Sequence, residues 1–144
     1  MPGDYFYKMV EYSGADNIFA AAKGSQVDQE AIIEKDPQYI VKVADANAYS
    51  SYQPPTIEEE KAIKKELVSR SGWAGIDAAR NDRILLLSHY LHGGASKLMG
   101  TIYIAKFLYP EYLPELHPEE VFKTWLEKYQ QLKYIKGHSY PELY

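Results

Sequence analysis

The sequence predicts an α/β fold, because two short apolar strands alternate with helices along the chain. Residues 39–43 (YIVKV) are short and β-branched, as expected of a strand. Residues 84–87 (ILLL) form the continuous apolar run that is typical of a strand covered on both faces. Strands separated by helices run parallel and are joined by right-handed crossovers. We therefore expect a three-layer αβα, Rossmann-like lobe with a small, mostly parallel sheet flanked by helices.

Two short helices are predicted before the first strand. Phe6 and Met9 lie on one face of an opening helix, and Gly14 suits the left-handed residue that follows its end. Asp28 can cap a second helix, which residues 36–37 (Asp-Pro) should terminate, because proline disfavours helix in the residue before it. The first strand then follows.

A loop over residues 45–55 leads to a third helix. Thr56 and Glu59 form a capping box, in which the hydroxyl and the carboxylate each bind a free amide at the helix start. This helix is expected to end near Arg70 and to lead towards the second strand.

Two more helices are expected after the second strand. Apolar side chains over residues 98–108 lie on one broad helical face, and Pro110 ends that helix. The last helix opens at Pro118, an acceptable first-turn position. Residues 136–144 have the composition of a loosely attached tail.

Composition excludes several classes of function. A chain of 144 residues, 46% hydrophobic and 25% charged, is typical of one globular domain, here residues 1–144. The net charge is -4 and no basic stripe is present, which argues against a nucleic-acid partner. Cysteine is absent, so disulfides and thiolate metal sites are excluded. No apolar run reaches the roughly 18 residues of a membrane span.

Polar and aromatic side chains follow both predicted strands. In open α/β sheets, ligands bind beyond the carboxyl ends of the strands, which is where residues 45–53 and residues 88–96 (SHYLHGGAS) belong. Tyrosine and histidine combine a ring that can stack with a polar group that can form hydrogen bonds. The predicted ligand-binding residues are Tyr49, Tyr52, His89, Tyr90 and His92.

The same loop could instead bind a metal or a phosphate. Zinc needs three or four protein ligands, whereas His89 and His92 supply two. Residues 93–94 (Gly-Gly) lack the lysine and the glycine spacing of known phosphate loops. No nucleophile elbow is present, so a serine hydrolase has no support. We expect neither a resident metal nor a cofactor, and we do not expect an enzyme.

Four stretches, taken in order, resemble the carboxy-terminal lobe of class III periplasmic solute-binding proteins. Residues 14–19 (GADNIF) are similar to the family's Gly-Gly-x-Asn-Ile-Phe turn. Residues 27–41 match a Val-Ser-x-Glu, helix, Asn/Asp-Pro-Asp-x-Ile-Ile-Val pattern, and residues 73–84 resemble Trp-x-x-Ile-x-Ala-Val-x-x-Gly-Arg-Val. Residues 88–96 fall where the family's last strand leads into the ligand cleft, and residues 108–120 continue the likeness.

The resemblance implies one lobe of a two-lobed receptor, with the amino-terminal lobe and the linking helix outside this chain. Such receptors deliver iron-siderophore complexes, haem or cobalamin-like corrinoids to the permease of an ABC transporter. They lie in the periplasm or on the extracellular face, here with a membrane anchor expected in a missing amino-terminal segment. Glu30 aligns with a glutamate that docks on the permease. An isolated lobe is expected to self-associate.

Two other classes of function stay open at this point. A small metal-dependent enzyme would use His89 and His92 together with a further ligand from elsewhere in the chain. A protein-interaction module would use Glu30 and the acidic start of the third helix, at residues 58–60, to bind its partner.

Overall fold

A computed structural model describes residues 5–22, 27–44 and 53–144. This part of the chain folds into six α-helices, several short helical turns and a three-stranded sheet. None of its helices is both long enough and apolar enough to cross a lipid bilayer. The helices are α1 (Tyr5–Tyr12), α2 (Gln29–Lys35), α3 (Ile57–Ser69), α4 (Asp77–Arg80), α5 (Lys97–Leu108) and α6 (Pro118–Thr124). The strands are β1 (Ile40–Val43), β2 (Ile84–Leu87) and β3 (Ser139–Tyr140).

The sheet has the order β1-β2-β3, with β2 in the centre. β1 and β2 are parallel, and Ile40 lies opposite Ile84. β3 adds a short antiparallel edge, in which Ser139 lies opposite Leu87. The predicted α/β class is therefore confirmed, with one antiparallel edge strand added to the parallel pair.

Alternate side chains of β2 enter two separate apolar cores, because successive residues of a strand point to opposite faces of the sheet. Leu85 and Leu87 pack with residues of α1, α5 and α6 on one face. Ile84 and Leu86 pack with residues of α3 and the turn that follows it on the other face. All four side chains of β2 are at most 2% exposed. The predicted three-layer architecture is therefore confirmed.

The predicted helix boundaries agree with the observed caps. The side chain of Asp28 accepts a hydrogen bond from the amide of Glu30 at the start of α2. Thr56 and Glu59 form both hydrogen bonds of the capping box at the start of α3. Gly14, just past α1, has a φ of 84°, which favours glycine because a Cβ is strained there. The caps at Asp28 and Thr56 are strong local signals because each side chain binds a backbone amide that would otherwise lack a partner.

The prediction of a loosely attached tail over residues 136–144 is wrong. Ser139 and Tyr140 pair with β2, and the backbone amide of Ser88 donates to the carbonyl of His138 at 2.9 Å. His138 is only 3% exposed. A strand of two residues has no hydrophobic period that a sequence pattern could reveal, and the buried residues in and next to it, Ser139 and His138, are polar.

The apolar face expected over residues 98–108 is only partly right. Leu98 is 61% exposed, while Tyr103 and Ile104 are buried. At Gly100, α5 lies so close to the loop after β2 that a Cβ would be 2.3 Å from the carbonyl oxygen of Leu91. The side of α5 that contains Gly100 can therefore pack closely because glycine has no side chain. A pattern of apolar residues does not reveal this contact.

Candidate functional site

The loop that follows β2, residues 88–96, is a tightly bonded structure. It consists of two short 3-10 turns, His89–His92 and Gly94–Ser96. The single hydroxyl proton of Ser96 is shared between two carbonyl acceptors, that of Gly93 at 2.7 Å and that of Tyr90. Ser96 is buried, so these hydrogen bonds form away from solvent and hold the loop in one shape.

His89 and His92 form an imidazole pair in this loop. In a 3-10 helix, side chains three residues apart lie on the same side, and the two ring centroids are 5.6 Å apart. The ring of Phe6, from the first turn of α1, lies 5.7 Å from the ring of His92. Both histidines are half-buried, so one side of the pair is packed while part of it faces solvent. The pair lies just past the carboxyl end of β2, as predicted for a ligand site.

Tyr90 packs towards the core beneath the loop. Its ring lies 5.9 Å from the ring of Phe122 and 6.4 Å from that of Trp125, centroid to centroid. It also lies 6.0 Å from the ring of His138. Tyr90 therefore anchors the loop to α6 and the carboxy-terminal segment, and a direct contact with a ligand stays a prediction for this residue.

His138 is a part of this site that sequence reasoning missed. Its Nδ1 lies 2.7 Å from the hydroxyl oxygen of Ser88, the residue that opens the loop. Burial lowers the pKa of His138 to about 4, so the imidazole is neutral at pH 7. A neutral, hydrogen-bonded histidine fixes the start of the loop without placing a charge in the core. No local signal could have found it, because the two residues are 50 positions apart in the chain.

Three of the predicted binding residues, His89, Tyr90 and His92, lie in the described part of the chain. Tyr49 and Tyr52 lie outside the described residues, so their part in the site stays a prediction from the sequence. Glu30 lies in the first turn of α2, with an exposed side chain. Its exposure is what a docking residue requires, but its role stays a prediction as well.

The imidazole pair has no third metal ligand within the described ranges. No group of three or more histidine, cysteine, aspartate or glutamate side chains in this part of the chain could hold a metal ion together. Two imidazole rings can still form hydrogen bonds and stack on a flat ligand. The described geometry therefore supports polar and aromatic contacts with a bound molecule.

Solved structures identify the class of this fold. No protein-family model matches the sequence, and no curated protein matches it. The TroA-like periplasmic binding protein FepB from Veillonella parvula superposes with a TM-score of 0.81 and 22% identity, over 94% of this chain and 41% of that protein. The chain therefore has the fold of one lobe of the TroA-like periplasmic binding proteins, which confirms at the level of fold the resemblance seen in the sequence.

Two further structures have the same fold. The molybdate periplasmic binding protein MolA of a Haemophilus influenzae ABC transporter matches with a TM-score of 0.69 and 22% identity, over 92% of this chain and 39% of that protein. A periplasmic solute-binding protein from Veillonella parvula DSM 2008 matches with a TM-score of 0.65 and 16% identity, with the same coverage. This chain thus spans about two fifths of the length of the proteins it resembles.

Proposed function

We propose that this chain is the carboxy-terminal, substrate-binding lobe of an ABC-importer receptor. The observation that supports this proposal is the imidazole pair of His89 and His92, backed by Phe6, at the ligand edge of a lobe with the periplasmic binding-protein fold. A receptor of this kind binds its substrate between two lobes and makes or breaks no bond. Its function is recognition, and the described site offers rings that can stack on a substrate and form hydrogen bonds with it.

The proposed substrate is a metal chelate: an iron-siderophore complex, haem or a cobalamin-like corrinoid. Such ligands are bulky and offer flat organic surfaces on which imidazole and phenol rings can stack. A bare oxoanion such as molybdate, the ligand of MolA, would favour charged donors, and residues 88–96 contain neither lysine nor arginine. The composition of the loop therefore favours a chelate over a small oxoanion.

The proposed partner is the permease of the transporter. Glu30 projects from the start of α2, where an exposed carboxylate can meet an arginine of the permease through two parallel hydrogen bonds. With this role, the proposed location of the receptor is the periplasm or the extracellular face.

A binding screen with matched variants tests the proposal. Ferric siderophores, haem, cobalamin and molybdate would be titrated into the chain and followed by calorimetry and thermal shift. We expect weak binding of a metal chelate, because one lobe offers half of the contacts, and loss of that binding in His89→Ala and His92→Ala. His117→Ala, at an exposed position before α6, is the control. Binding that survives both loop variants would contradict the site.

A further inference from the structure

An open groove of about 470 Å³ lies beside α3, on the face of the sheet that is opposite to Phe6. One wall consists of three lysines, Lys61, Lys64 and Lys65. The apolar part of the lining consists of Val68, Ala74 and Ala79. We call this feature the lysine groove. It is separate from the imidazole pair, since Val68 and Ala79 pack against the second core and Phe6 packs against the first.

One of the three lysines is held in place and neutralised. The ammonium of Lys64 lies 2.6 Å from a carboxylate oxygen of Asp82 and 5.4 Å from the ring centroid of Tyr140. The side chain of Lys64 is only 13% exposed. Asp82 is the one acidic side chain in the described lining of the groove. Lys64 and Asp82 therefore contribute one positive and one negative charge to the wall, and these offset each other.

The other two lysines leave a net positive charge in the groove. Lys61 and Lys65 are exposed, and within the described chain neither forms an ion pair. They are four residues apart on one helix, so their Cβ atoms lie about 6 Å apart. The groove therefore combines two uncompensated ammonium groups with a lining that is partly apolar.

We propose that the lysine groove binds a small organic anion that has two carboxylates on an apolar ring. The two ammonium groups equal the two carboxylates in number, and Val68, Ala74 and Ala79 offer the apolar contact that the ring requires. This site goes beyond the proposed transport function and does not depend on it, because it uses a different face of the lobe.

The test uses isophthalate as the probe, with malonate and benzoate as comparisons. Malonate has two carboxylates but no ring, and benzoate has the ring but one carboxylate. Calorimetric titration of this chain should show the tightest binding for isophthalate, and the binding should weaken as salt is added. The double variant Lys61→Gln and Lys65→Gln should raise the Kd about tenfold.

A charge-matched control separates this site from a general attraction of anions. Lys35→Gln with Lys123→Gln removes the same charge from exposed positions outside the groove and should leave the Kd unchanged. An equal loss of affinity in this control would overturn the proposal. So would equal affinities for malonate and isophthalate, or the absence of isophthalate binding at about 10 mM ligand.

Discussion

Glu60 is a buried carboxylic acid, and replacing it with glutamine should stabilise the protein at neutral pH. The side chain lies on α3 and is 3% exposed. Burial, together with a smaller contribution from the nearby carboxylate of Glu142, raises the pKa of Glu60 to about 8. Glu142 is itself held ionised by its hydrogen bonds with Tyr144 and Lys136, which lower its pKa. Glu60 is therefore protonated in the folded protein at pH 7.

The size of the effect follows from the difference between the folded and unfolded pKa values of Glu60. The unfolded chain releases this proton near pH 4.5, whereas the folded chain keeps it up to about pH 8. Between these values the free energy of unfolding falls by about 1.4 kcal/mol per pH unit as the pH rises. At pH 7 the loss amounts to about 3 kcal/mol. Glutamine has a similar shape and no proton to release, so Glu60→Gln should recover most of this loss.

Urea denaturation at a series of pH values measures the difference directly. We expect Glu60→Gln and the wild type to be equally stable near pH 4, and the variant to gain stability steadily from pH 4.5 to pH 8. Glu66→Gln is the control, because Glu66 is exposed on the same helix. A stability difference that does not change with pH would refute the reasoning, as would an equal gain in the control.

Three further predictions concern the core, the buried histidine and the surface. Gly100→Ala should destabilise the fold by about 2 kcal/mol in urea denaturation, because the new Cβ would lie 2.3 Å from the carbonyl oxygen of Leu91; Gly75→Ala, with open space around it, should be nearly neutral. The folded pKa of His138 is low, so its contribution to stability should be lost as the pH falls from about 6.5 to about 4, and an NMR titration of its ring should show a midpoint near 4. Finally, exposed aromatic rings such as Tyr12 and Tyr112, 72% and 82% exposed, favour self-association, and a monodisperse monomer in concentrated solution by light scattering would contradict that expectation.

Local chemistry made much of the fold predictable from the sequence. The caps at Asp28 and Thr56 and the buried run of β2 each depend on residues that are close in the chain, and all three are observed. His89 and His92 also make a local contact, since a single 3-10 turn brings their rings together.

Long-range contacts explain what the sequence could not predict. β3 forms because Ser139 pairs with Leu87 and His138 bonds to Ser88, and these partners are about 50 positions apart in the chain. No hydrophobic periodicity marks a strand of two residues. The inward packing of Tyr90 depends on α6 and on His138 in the same way. Residues 61–65 form a run of charges that is typical of a solvated helix face, and only the packing of α3 beside Asp82 and Tyr140 turns that face into a groove.

The most direct test of the proposed function is the NMR response of the histidine rings to a ferric siderophore. The protein has four histidines, so each ring signal can be assigned with a single variant. The iron is paramagnetic and broadens signals close to it. We expect the signals of His89 and His92 to broaden selectively, while that of His117 stays sharp. Broadening of all four signals alike, or no response to the ferric complex, haem or cobalamin, would contradict a ligand site at the imidazole pair.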